Sequence, residues 1–176
     1  MNALRSPKLI LPLLIALAGC QQQPRTNLNY EMGERVEIGP FTYVIVESSW
    51  RSELGEGFQV RTPKDRFLML TISVTNGGGS EVSVPMLMVE GSNGQTYQEV
   101  SDGTGIAGWL GILRTVKPAE TLQGRIVFDA PLSAYRLRLP DGGESGYEKY
   151  SWVNIPLSLD PHDVQAPLPG GGSDNR

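Results

Sequence analysis

The sequence is short of most residues that chemistry needs. Its 176 residues include one histidine, His162, and one cysteine, Cys20. Zinc and copper centres take several imidazole or thiolate ligands, so neither fits. A lone cysteine also rules out an intramolecular disulfide, a common brace in exported β-sandwiches. A Ser-His-Asp site needs a histidine fixed by a buried acid. His162 instead sits beside Asp163 in a stretch rich in proline and glycine. The acids are scattered, without the spacing of a calcium loop. No G-x-x-x-x-G-K-[ST] run is present to cradle a nucleotide phosphate. These absences point away from an enzyme and imply no cofactor. Charged residues make up only 19%, and the net charge is −4. Nucleic acid needs a basic patch to displace counterions, so it is not an expected partner. No apolar run approaches the roughly 20 residues of a membrane span.

Glycine and proline are abundant, with 21 and 13 residues. That excess suits a chain of many turns. Between the turns, the hydrophobic period is two. In the run 67–76, Leu68, Leu70, Ile72 and Val74 fall on one side of an extended chain. Phe67, Met69, Thr71, Ser73 and Thr75 fall on the other, and Asn76-Gly77-Gly78-Gly79 closes the run. This pattern predicts a central strand with one wholly apolar face.

Similar but shorter patterns predict strands at 35–38, 41–47, 81–89, 95–100, 112–116, 121–128, 135–139 and 152–157. Val46 is expected in the interior with its neighbours. Met86 and Met88 read as core filler, and a short strand is possible at 58–60. Pro85 places its strand at an edge or a bulge, and Pro156 places the last strand at an edge, because proline cannot donate to a ladder. Arg136 and Arg138 alternate with apolar residues, as on a solvated strand face. No amphipathic helix is predicted. The fold class is all-β: an immunoglobulin-like antiparallel β-sandwich of about eight or nine strands.

Gly103-Thr104-Gly105-Ile106-Ala107-Gly108 spells G-x-G-x-x-G, and Asp129 follows about twenty residues on. A dinucleotide fingerprint must open a helix inside a strand-helix-strand unit. Trp109, Gly111 and Pro118 leave no room for that helix, so the run reads as a sandwich loop.

The N-terminus reads as an address. Arg5 and Lys8 precede an apolar run, Leu9 to Leu17, too short to span a bilayer. Leu17-Ala18-Gly19-Cys20 follows and resembles the lipobox of bacterial lipoproteins. The resemblance implies a signal peptide at 1–19, cut before Cys20, and a diacylglyceryl group on the Cys20 thiol. Each buried acyl CH₂ contributes about 0.8 kcal/mol, so two or three chains anchor a protein essentially permanently. The membrane is therefore an expected partner, through the chains on Cys20. Gln21 in place of Asp implies outer-membrane sorting if the host is Gram-negative. Residues 20–31 are expected to be a lipidated tether, 32–159 the sandwich, and 160–176 a disordered tail.

The ordered set Gly39-Pro40-Phe41-Thr42-Tyr43-Val44, Phe67-Leu68, Val74-Thr75-Asn76, Val82-Ser83-Val84-Pro85 and Asn93-Gly94-Gln95-Thr96-Tyr97 carries a second resemblance. It continues through Lys117-Pro118-Ala119-Glu120, Val127-Phe128-Asp129-Ala130-Pro131 and Tyr135-Arg136-Leu137. The chain resembles an uncharacterised family of exported bacterial immunoglobulin-like domains, itself described as similar to a secreted mycobacterial immunogenic sandwich protein. The resemblance implies the sandwich, export and often a lipid anchor, with no activity and no functional residues. Family members often carry glycine where this chain has Ala119. The expected function is that of an envelope lipoprotein acting as a protein-protein interaction or structural module, with an envelope protein as partner. The alternative is a small-ligand or carrier protein, which would need a cavity of several hundred Å³ near Trp109 or Trp152.

Overall fold

In a computed structural model, residues 29–158 are described, apart from 56, 57, 59, 145 and 146. The lipobox residues Leu17, Ala18, Gly19 and Cys20, the first nine residues of the tether, His162 and the tail lie outside the described residues.

Eleven strands are present among the described residues: β1 Asn29–Glu31, β2 Arg35–Ile38, β3 Phe41–Arg51, β4 Arg66–Asn76, β5 Val82–Val84, β6 Met88–Gly91, β7 Thr96–Gln98, β8 Arg114–Val116, β9 Thr121–Ala130, β10 Tyr135–Pro140 and β11 Tyr150–Ile155. They form a five-stranded sheet in the order β1-β11-β10-β6-β7, a four-stranded sheet in the order β2-β3-β4-β9, and the pair β5-β8. The protein is thus an all-β sandwich. Two more strands occur than the pattern predicts. β1 falls within the expected tether, and the run 81–89 is two strands.

β4 is the strand the rest packs around. Leu68, Leu70, Ile72 and Val74 are all fully buried, as the period-two pattern requires. They meet Tyr43, Ile126 and Phe128 of their own sheet, and Val89, Leu137, Leu139 and Val153 of the other, in one core. Tyr43 also ties the sheets by a polar link, its hydroxyl donating to the Pro140 carbonyl at 3.1 Å. At the other end Tyr135, the first residue of β10, donates to the Pro131 carbonyl at 2.6 Å. A tyrosine bonded back across the corner before its strand is a feature of immunoglobulin-like sandwiches.

Four strand expectations need correction. The register of β3 on β4 shifts between Ile45 and Glu47. Val46 is the extra residue of this bulge and is half-exposed rather than interior. At Pro85 the chain does more than skirt an edge. β5 ends at Val84, and β6 begins at Met88 in a different sheet. The missing N–H of Pro85 falls where the chain leaves one ladder for the other. That crossing also changes the parity of the run. Leu87 and Val89 take the core, so neither methionine fills it: Met86 is exposed and Met88 is half-buried on the outer face. β11 is not an edge strand. Pro156 lies just beyond it, and β1 covers it in parallel register, Asn29 opposite Trp152 and Glu31 opposite Asn154. The fourth correction is at Phe58 and Val60, neither of which lies in a strand, and Phe58 is fully exposed.

The G-x-G-x-x-G run is a loop, folded over the outer face of β4 and β9. Ile106 packs there with Leu54, Phe67 and Val127, and Trp109 lies against them. A Cβ on Gly103 would sit 1.9 Å from the Trp109 ring, so glycine is required for contact rather than for a phosphate. The Arg61 guanidinium donates to the Asp102 and Thr104 carbonyls at 2.8 and 3.1 Å, and the Arg125 guanidinium to the Ala107 carbonyl at 3.2 Å.

Ala119 is the one non-glycine residue with positive φ among the described residues, at 61°. It occupies the third position of the Lys117–Glu120 turn, whose Glu120 N–H donates to the Lys117 carbonyl at 3.0 Å. Proline second and positive φ third is the type II pattern, which favours glycine at that place. Ala119→Gly is therefore expected to stabilise the protein by about 0.5–1 kcal/mol. A higher urea midpoint with an unchanged slope would show it.

Candidate functional site

With the outer face of β4 and β9 covered by loops, the outer face of the five-stranded sheet is the better place to look. Alternation sets its residues. Tyr135, Leu137 and Leu139 of β10 point into the core, so Arg136 and Arg138 point out. Register then places Arg138 between Trp152 and Met88, and Arg136 between Asn154 and Glu90.

The arginines are not simply solvated, as the sequence reading has them. The Arg136 guanidinium carbon lies 4.7 Å from the Trp152 ring centroid, and that of Arg138 4.3 Å from the Tyr150 centroid. Tyr150 and Trp152 meet edge to face at 5.6 Å. Arg136 donates to the Glu90 carboxylate at 2.7 Å, and Arg138 to that of Glu148 at 2.8 Å. Each cation is thus held by a ring on one side and a carboxylate on another. Stacking of this kind contributes about 0.5–1 kcal/mol where exposed.

Below this ladder lies a hollow of about 420 Å³, at the end of the sheet where β6 ends and β10 begins. Tyr135, Ile155 and Pro156 give it apolar walls; Glu90, Arg136 and Asn154 give it polar ones. The Asn154 amide donates to the Glu31 carboxylate at 2.6 Å. Of the two tryptophans expected near a cavity, Trp152 is one step away, under Arg136. Trp109 is on the opposite outer face.

Along β11 the hollow lies from Asn154 onward, past Trp152, which pairs with Asn29. β1 runs parallel to β11, with Asn29 on the Tyr150 side of Glu31. Ile155 and Pro156 lie at the other end. The sequence signals could find the outward arginines but not the hollow, which needs β6, β10 and β11 to be brought together.

Burial, with help from Tyr97 and Asp65, pushes the Tyr135 hydroxyl up to about 12. Burial also raises Tyr43, against the opposing pull of Arg114. An unfolded tyrosine ionises near 10, so between about 10 and 12 the unfolded chain binds fewer protons than the native one. Stability is expected to be level with respect to these groups below about pH 10 and to fall as pH rises through 12. Urea titrations at a series of alkaline pH values test this, and Tyr43→Phe with Tyr135→Phe should flatten the fall.

No group of three or more His, Cys, Asp or Glu residues among the described residues could hold a metal ion. Nor is any helix among them long and apolar enough to cross a membrane.

Residues 30–147 match the family described as a domain of unknown function, DUF4352. The chain belongs to that family. Among curated proteins none matches the sequence. Solved structures resemble the sandwich at low identity. The yjhA protein from Bacillus subtilis superposes with a TM-score of 0.57 at 15% identity, over 72% of this chain and 98% of that one. A candidate lipoprotein, ycdA, from the same species superposes at 0.54 and 12%, over 74% of this chain and 40% of its own. A secreted protein from Mycobacterium tuberculosis, MPT63, gives 0.48 and 14%, over 76% and 99%. The first two likenesses establish the fold, and the DUF4352 family brings no assigned activity with it.

Proposed function

We propose that the protein is a lipid-anchored module of the cell envelope that docks another envelope protein through the outer face of its five-stranded sheet. One observation carries the reading: the stacked ladder of Arg136 on Trp152 and Arg138 on Tyr150, with the Arg138 guanidinium 4.0 Å from the Met88 sulfur. Tryptophan, tyrosine, arginine and methionine are the residues enriched at protein interfaces. Here they are fixed before a partner arrives, which lowers the entropic cost of binding. The anchor rests on the lipobox at Leu17–Cys20, and the candidate lipoprotein among the similar structures fits it.

The test is crosslinking in intact cells of the native host, followed by identification of what co-purifies. Tyr150→Ala with Met88→Asp alters the ladder and leaves the hollow alone. One envelope protein should be recovered with the wild type and lost with the double variant and with Cys20→Ala. Recovery of nothing beyond the Cys20→Ala control would sink the docking reading.

A further inference from the structure

The hollow is a site in its own right. We infer that it binds a neutral sugar ring, one or two pyranose units, through the Arg136–Glu90 pair. This does not depend on the docking proposal.

The argument starts from the polar groups. Arg136 offers only donors and Glu90 only acceptors. They are joined at 2.7 Å and both line the hollow. Their charges cancel, so the site favours neither a simple anion nor a simple cation. Arg136 uses one hydrogen bond of its five donors among the described residues. Trp152 and Glu90 fix its plane, so the unused donors have a set direction.

A ligand that suits such a pair must accept from one group and donate to the other, at neighbouring atoms. Vicinal hydroxyls do this, since each both donates and accepts and their oxygens lie about one hydrogen-bond length apart. A trans amide cannot, because its N–H and C=O point in opposite directions. A free amino acid could reach both groups, but its two charges would compete with an ion pair already made at 2.7 Å. A diol can bridge the pair and leave it intact. The rest of the hollow agrees. The C–H face of a pyranose is apolar and would lie against Pro156, with the edges of the buried Tyr135 and Ile155 behind it, while Asn154 adds a group that can donate and accept. The volume of about 420 Å³ lies in the range of small-ligand sites and would hold a disaccharide.

The experiment is calorimetric titration of the full-length protein in a non-glycosidic detergent. The probes are chitobiose and cellobiose, with free leucine, the dipeptide Gly-Leu and acetate as comparators. At least one disaccharide should bind saturably, with a dissociation constant between about 10 μM and 10 mM. Glu90→Gln and Arg136→Lys keep the shape of the site while changing its hydrogen-bonding plan. Each should weaken binding about tenfold or more, with thermal midpoints close to the wild type. No saturable sugar binding at about 10 mM would overturn the inference. So would sugar binding indifferent to both variants. Preferential binding of leucine or Gly-Leu would assign the hollow to a zwitterion instead.

Discussion

Asn76→Asp should cost about 3–5 kcal/mol at pH 7, enough to unfold many domains of this size. The side chain is fully buried at the end of β4. Its amide nitrogen donates to the Ser80 carbonyl at 2.7 Å and the Val116 carbonyl at 2.8 Å, and its oxygen accepts from the Gly78 N–H at 2.8 Å. Its main chain is engaged too, with Glu120 and Ala119 at 3.0 and 2.9 Å. One residue thus joins β4, β8, the glycine run and the Lys117–Glu120 turn. An aspartate of the same shape would set a buried carboxylate against two carbonyl oxygens. The sign of the pH dependence follows. Burial and those carbonyls would raise the folded pKa of the new acid above its unfolded value, near 4. The deficit should therefore be smallest below pH 4 and grow as pH rises through the folded pKa. Urea unfolding of Asn76→Asp at pH 4 and pH 7, beside the wild type, measures this. An equal loss at both would show that the carbonyl contacts do not set the cost.

Arg114→Met is expected to lose a similar amount, about 3–5 kcal/mol, while Arg114→Met with Glu99→Met should recover much of it. The two side chains are fully buried and paired at both ends, with distances of 3.0 and 2.7 Å. Arg114 also donates to the Pro85 carbonyl at 3.0 Å, and Glu99 accepts from the Leu87 N–H at 3.1 Å. Removing the arginine strands a carboxylate in the core, whereas removing both leaves room that apolar side chains can fill. The location gives the pair its use. Pro85 to Leu87 is where the chain crosses between sheets, and Glu99 follows β7 where the chain bridges to Phe128 of β9. A double variant no more stable than Arg114→Met alone would contradict the desolvation account. Thermal and urea unfolding of the three variants decides it.

Much of the sandwich was legible because half-buried strands advertise themselves. Leu68, Leu70, Ile72 and Val74 alternate without a break, and so do Tyr135, Leu137 and Leu139. Places where one chain segment serves two sheets were not legible. Pro85 shows that a ladder must stop, but not that the chain leaves for another sheet. Val46 looks like any β-branched strand residue, and only its pairing with β4 shows the bulge. β1 has three residues, too few for a period, and gains its place from β11. The buried pair of Glu99 and Arg114 lies fifteen residues apart, each with one polar neighbour (Gln98 and Thr115), where either would pass for a surface charge. For the site, Arg136 and Arg138 could be seen to point outward. Their stacking on Tyr150 and Trp152 depends on the β10–β11 register, which no local pattern encodes.

The parallel pairing of β1 on β11 has a mechanical consequence. A pull on the chain ahead of Asn29, resisted by something gripping the far end of the sheet, runs along β1 rather than across it. The load then falls on all the hydrogen bonds between Asn29–Glu31 and Trp152–Asn154 together, in shear. A strand peeled from its end would yield one bond at a time. Three residues are few, yet this geometry makes β1 a short clasp whose strength depends on the direction of the force.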